Sequence, residues 1–117
     1  MGVTIMRGED IDRLLDLKGV EGDTLDEYTV LFKQQVSISA ILEETHHIRQ
    51  NRQGFNNDKD IRLRSVLNEI DAKEYLLRVA DKYQIPREEI EATKIQLEMY
   101  KKVLEELEER FGEQNDS

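Results

Sequence analysis

The chain has 117 residues with no cysteine, no tryptophan and a single proline. Without cysteine it can form no disulfide, no thiolate zinc site and no thiol nucleophile. Apolar side chains make up only 38% of the sequence and mean hydropathy is -0.70. No unbroken apolar run approaches the about 18 residues of a membrane span. Met1 to Arg13 lacks the apolar core of a secretory signal. The expectation is a small soluble chain that stays in the cytoplasm and does not enter a membrane. Charged residues are abundant at 37%, and the net charge of -9 opposes wholesale wrapping of nucleic acid.

What is present is helical periodicity, and the reading is an all-α fold of four helices. Ile11, Leu14 and Leu15 recur at the spacing of one helical face, which predicts a first helix from Glu9 to about Lys18, stopped by Gly19 and Gly22. Thr24 stands three residues before Glu27, a capping-box spacing, and predicts a second helix from Thr24 to about Arg52. Within it Leu31, Gln35, Ile38, Leu42 and Thr45 step by 4 and 3 as in a coiled-coil seam. The Asn-, Asp- and Gly-containing segment from Asn51 to Asp60 reads as a hairpin tip. A third helix follows to about Tyr83, antiparallel to the second, with Leu63, Val66, Leu67, Ile70, Leu77 and Ala80 on one face. Glu74 falls inside that stripe and reads as a buried carboxylate partnered by Gln35, His46 or a neighbouring basic residue, the alternative being a proton-transfer group.

Pro86 opens a fourth helix, whose Ile90, Thr93, Leu97, Tyr100, Leu104, Leu107 and Phe111 alternate by 3 and 4 through three heptads. Ile95, Met99 and Val103 form a second stripe on nearly the opposite side of the same helix. A helix that is apolar on two sides needs two partners, and the second stripe therefore predicts a homo-oligomer seam, the alternative being a central place for this helix within a monomeric bundle. The organisation expected is a short helix and linker over residues 1–23, then one domain over 24–117 comprising the helical hairpin and the long amphipathic helix.

Charge is unevenly placed. Residues 1–30 carry a net -5, residues 31–64 a net +2 and residues 65–117 a net -6. Arg49, Arg52, Lys59, Arg62 and Arg64, with Phe55 among them, mark the segment best suited to meet phosphate or an acidic partner, with Phe55 available to stack on a base. The alternative reading is a solvated hairpin tip. No Gly-rich phosphate loop, nucleophile elbow or Ser/His/Asp arrangement is evident.

One constellation could hold a metal. Glu43-Glu44-Thr45-His46-His47, followed by Asn68-Glu69-Ile70-Asp71, resembles the MazG-type nucleoside triphosphate pyrophosphatases. The resemblance implies Mg²⁺ held by acidic residues on antiparallel helices, here Glu43, Glu44 and Asp71, with His47 at a third ligand position of the first motif. Mg²⁺ favours carboxylate oxygens. His47 and Asn68 stand where that family carries Glu, so two of the five ligand positions lose their charge.

A second resemblance lies elsewhere in the chain. Asp10-Ile11-Asp12-Arg13-Leu14-Leu15-Asp16-Leu17, Gly19-Val20-Glu21-Gly22-Asp23, Phe32-Lys33-Gln34-Gln35-Val36 and Ala72-Lys73-Glu74-Tyr75-Leu76-Leu77 resemble segments of the small terminase subunit of T4-like tailed phages. That resemblance implies a DNA-packaging viral protein: a non-enzymatic ring built through a central helical hairpin, which binds viral DNA and regulates the large terminase in the host cytoplasm. The leading expectation is accordingly a non-enzymatic, cofactor-free oligomeric adaptor whose partners are DNA, a large terminase or another basic protein. The alternatives are the Mg²⁺-dependent pyrophosphatase and a small acidic inhibitor that mimics DNA.

Overall fold

A computed structural model of the chain describes residues 2–115, with side chains through residue 111. Residue 1 of the expected N-terminal segment and residues 116 and 117 of the expected second domain lie outside the described residues. The chain forms two compact units, Met1–Phe55 and Asn56–Ser117.

The first unit is mixed rather than all-α. Its elements are β1 (Thr4–Met6), α1 (Glu9–Lys18), β2 (Gly22–Thr24), β3 (Thr29–Phe32) and α2 (Ile38–Gln53). The strands form one sheet in the order β1-β3-β2, with β1 parallel and β2 antiparallel to β3. The expected helix from Thr24 therefore breaks down over about its first half. Thr29-Val30-Leu31-Phe32 is β-branched and aromatic, a composition that suits a pleated, packed strand. Asp26 helps turn the chain before it, its carboxylate accepting a hydrogen bond from the Tyr28 N–H at 2.8 Å. Val30 sits between Ile5 of β1 and Thr24 of β2.

Val30, Leu31 and Phe32 are all buried, so both faces of the central strand are covered. Val30 and Phe32 pack with Ile48 of α2 and with Val36. Leu31 points to the other face. There α1 packs on β3 and contributes Leu15, which is fully buried.

Helix α1 has the bounds that its periodicity predicts, and Gly19 ends it in the left-handed region with φ 71°. Thr24 caps no helix. Ser37 caps α2 instead, its hydroxyl accepting from the Ala40 N–H, while the Glu21 carboxylate accepts from both the Ser37 N–H and the Ser37 hydroxyl at 2.9 Å. Gly54, at φ 66°, closes α2.

The second unit is a helical hairpin of α3 (Ile61–Val79) and α4 (Arg87–Asn115). The Asp60 carboxylate caps α3 by accepting from the Arg62 N–H. Between the helices Gln84 adopts φ 53°, the Ile85 N–H donates back to the Ala80 carbonyl at 3.0 Å, and Ile85 is buried. Pro86 immediately precedes α4, where its carbonyl accepts from Ile90.

The long seam read on α4 is the packed one. Val66 and Ile70 of α3 form a cluster with Leu97, and Leu77, Tyr100, Leu104 and Leu107 pack against it. Thr93 is buried in the same helix and returns its hydroxyl to the Glu89 carbonyl at 2.7 Å. Glu74, expected inside the apolar stripe, is exposed. The charged side chain that is buried is its neighbour Lys73, whose ammonium lies 3.9 Å from Glu69 one turn earlier.

Candidate functional site

Three groups of side chains were singled out by the sequence. The first is the exposed stripe of α4. Ile95, Met99 and Val103 have 64%, 61% and 42% of their surface exposed, whereas Leu97, between them in sequence, retains 6%. This contrast follows from helix geometry, since the stripe and the seam lie on well-separated sides of the same cylinder. Salt bridges flank the stripe along the helix, Glu91 with Lys94 at 3.5 Å and Glu98 with Lys101 at 3.7 Å.

The second group is the acidic and histidine cluster of α2. Glu43 Oε1 lies 3.8 Å from His47 Nε2 one turn on, and both side chains are largely buried. His47 Nδ1 lies 2.7 Å from Gln50 Oε1, which makes Nδ1 the donor with the amide oxygen so placed. Glu44 serves the fold. Its Oε2 accepts from the Thr24 hydroxyl at 2.5 Å, which ties α2 to the edge strand β2. On α2, one carboxylate and one imidazole therefore stand together, a donor pair of the kind that divalent cations use. Asp71 sits half-buried on α3 in the other unit.

The third group is the basic segment, and much of it is engaged at home. Arg52 donates from Nε to the Glu27 carbonyl at 2.9 Å and from a terminal nitrogen to the Gly2 carbonyl at 3.1 Å, and its guanidinium lies 5.4 Å from the centre of the Tyr28 ring. Arg52 therefore latches the β2–β3 turn and the N-terminal segment to the end of α2. Arg49 lies 3.0 Å from His46 Nδ1. Phe55 is exposed just after α2.

In the second unit, Arg62 binds Asp60 at 3.0 Å and lies over the Phe111 ring at 5.2 Å. That pairing holds the Asp60 carboxyl below the usual range and raises the Arg62 guanidinium. Arg64 reaches the Asn57 side-chain oxygen at 3.3 Å, and Lys59 is exposed.

The sequence reading missed the polar ties that build the first unit. Asp12 accepts from both the backbone N–H and the side-chain amide of Gln34 at 2.9 Å, and these bonds, the side-chain bond foremost, lower its carboxyl. Lys33 donates to Asp16 at 2.5 Å, which raises the lysine. Lys18 pairs with Asp23. All three ties join α1 to residues 23–34, so their signal lay in recognising that segment as a strand hairpin. Among the described residues no helix is long and apolar enough to cross a membrane. No protein-family model, curated protein or solved structure matches this chain.

Proposed function

We propose that the chain is a non-enzymatic assembly subunit. It associates with copies of itself through α4 and acts as an adaptor that meets nucleic acid through Arg49 and Lys59, the role that the small-terminase resemblance implies. The observation that carries the reading is the solvent-facing stripe of Ile95, Met99 and Val103 on a helix whose opposite side is already packed. Isolated apolar residues at a surface are ordinary, but three at successive helical turns on one face form a contiguous patch that association would remove from water. The engagement of Glu44 with Thr24 agrees with this reading, because it gives one of the acidic residues of the enzyme alternative a structural task.

Sedimentation equilibrium tests the proposal at roughly 50 µM, where an association of micromolar Kd is well populated. The parent chain sediments as an oligomer, and Met99→Glu sediments as a monomer with an unchanged circular-dichroism spectrum. A monomeric parent chain at that concentration would sink the proposal.

A further inference from the structure

The assembly reading leaves open how two copies meet, and the charges around the stripe select one arrangement. We infer that α4 pairs with α4 of a second copy in an antiparallel, two-fold arrangement centred on Met99. This rests on the self-association proposed above. At about 100° per residue, Glu88, Ala92, Glu106 and Arg110 all fall within about 20° of the line through Met99, so the stripe continues to both ends of the helix as one face. All four are exposed, as are the three apolar residues between them.

In a two-fold pairing centred on Met99, each residue faces the one equally far on the other side of Met99 in the second copy. Ile95 then faces Val103 of the second copy, and Met99 faces its own equivalent. Glu88 and Arg110 each stand eleven residues from Met99, so at either end of the pairing an acid meets a base. Lys102 and Glu98 share one flank about 40° apart and come within about 3 Å of each other's level along the axis. Glu98 already meets Lys101 within its own helix, and Lys102 of the second copy arrives on the side facing the seam.

A parallel pairing would instead set Glu88 on Glu88 and Arg110 on Arg110. Like charges at matched levels oppose association and unlike charges favour it. Two unfavourable approaches remain in the antiparallel case, since Glu106 comes beside Ala92 and Glu91 of the second copy, and Glu88 comes beside Glu109 as well as Arg110. They moderate the affinity without changing the preferred direction, because the parallel pairing sets Glu88, Glu106 and Arg110 each on its own equivalent.

The absence of cysteine makes the direction directly readable. A disulfide forms only when two Cα atoms lie within about 7 Å. Under mild oxidation Met99→Cys gives a covalent dimer on a non-reducing gel, whereas Ile95→Cys alone does not. An equimolar mixture of Ile95→Cys and Val103→Cys gives the mixed dimer. In sedimentation, Arg110→Glu weakens association about fivefold, and adding Glu88→Arg to it restores the parent value.

If Ile95→Cys cross-links to itself as readily as Met99→Cys, the pairing is parallel and the inference fails. If Met99→Cys stays uncrosslinked while the parent sediments as an oligomer, the inference fails and the assembly reading stands. If the parent is monomeric, both fail.

Discussion

Gly22 begins the edge strand β2 opposite Phe32, and a Cβ placed on it would lie 3.0 Å from Glu44 Cγ and 3.0 Å from the Phe32 ring. The glycine lets α2 approach the sheet closely enough for Glu44 to receive the Thr24 hydroxyl. Neither neighbour is a free chain end, since the ring belongs to the core cluster and the glutamate is held by that bond. Gly22→Ala should therefore cost about 1–3 kcal/mol by overpacking, read as a lower urea midpoint. An unchanged midpoint would mean that α2 retreats without loss. At the same scale, Asp12 binds Gln34 through two hydrogen bonds, and its carboxyl is lowered in the folded chain. A lowered carboxyl contributes stability above its unfolded value, near 3.9, and that contribution is lost as pH falls through the folded value. Asp26, lowered foremost by the Tyr28 N–H, and Asp60, lowered foremost by Arg62, act in the same direction. The melting temperature should fall as pH drops from about 5 to about 3, and Asp12→Asn should flatten part of that slope. A parallel slope in the variant would show that the Gln34 bonds contribute nothing to it.

Helices and strands differ in how much of themselves they write into the chain. The seam of α4 repeats over three heptads, so its packed side was legible from Ile90 to Phe111, and so was the exposed stripe. Gly19 and Gly54 both adopt the left-handed conformation that ends a helix, and their positions followed from composition. The strands were not legible because none exceeds four residues. A strand buried on both faces reads as an apolar run without alternation, and Val30-Leu31-Phe32 merged with the helical pattern of Ile38 and Leu42 that follows. The same merger hid Ser37 as the cap of α2 and displaced Thr24 from sheet to cap. The candidate surfaces divide along the same line: the α4 stripe depends on helical angle alone, whereas the Thr24–Glu44 tie depends on the sheet. The two sides of α4 make a direct comparison. Leu97→Ala should destabilise the second unit by about 2–4 kcal/mol, because Leu97 fills a seam with Val66 and Ile70. Met99→Ala should change the thermal midpoint of a dilute sample by little, since its side chain is mostly in water. Equal losses from both would show that the stripe is packed within the subunit.

At the scale of the whole molecule, the net charge of -9 averages two acidic flanks over a mildly basic centre, and the structure reduces the centre further. Arg52 holds the Glu27 and Gly2 carbonyls, and Arg62 holds Asp60, so turning either toward phosphate breaks an existing bond. Arg49 is exposed on the first unit and Lys59 on the second, and one phosphate contact from each is a small electrostatic contribution against an acidic background. Retention on duplex DNA should therefore be weak, with a slope of log K against log salt near about -2 rather than the steep values of proteins that neutralise many phosphates. Arg49→Glu with Lys59→Glu should abolish that retention while leaving the circular-dichroism spectrum unchanged. Arg52→Glu is the poorer test, because it removes a positive charge and the latch on the β2–β3 turn together. If the double variant binds as the parent does, the contact with nucleic acid lies elsewhere and the basic segment is a solvated surface. Oligomerisation alters the expected size of the effect in a defined way: a dimer presents each pair of cations twice, so the slope steepens if both copies reach one duplex. Measuring it for the parent and for Met99→Glu joins the two proposals in one experiment. A shallower slope in the monomeric variant would show that assembly through α4 brings the basic residues of two copies onto one DNA, and identical slopes would show that each copy binds alone.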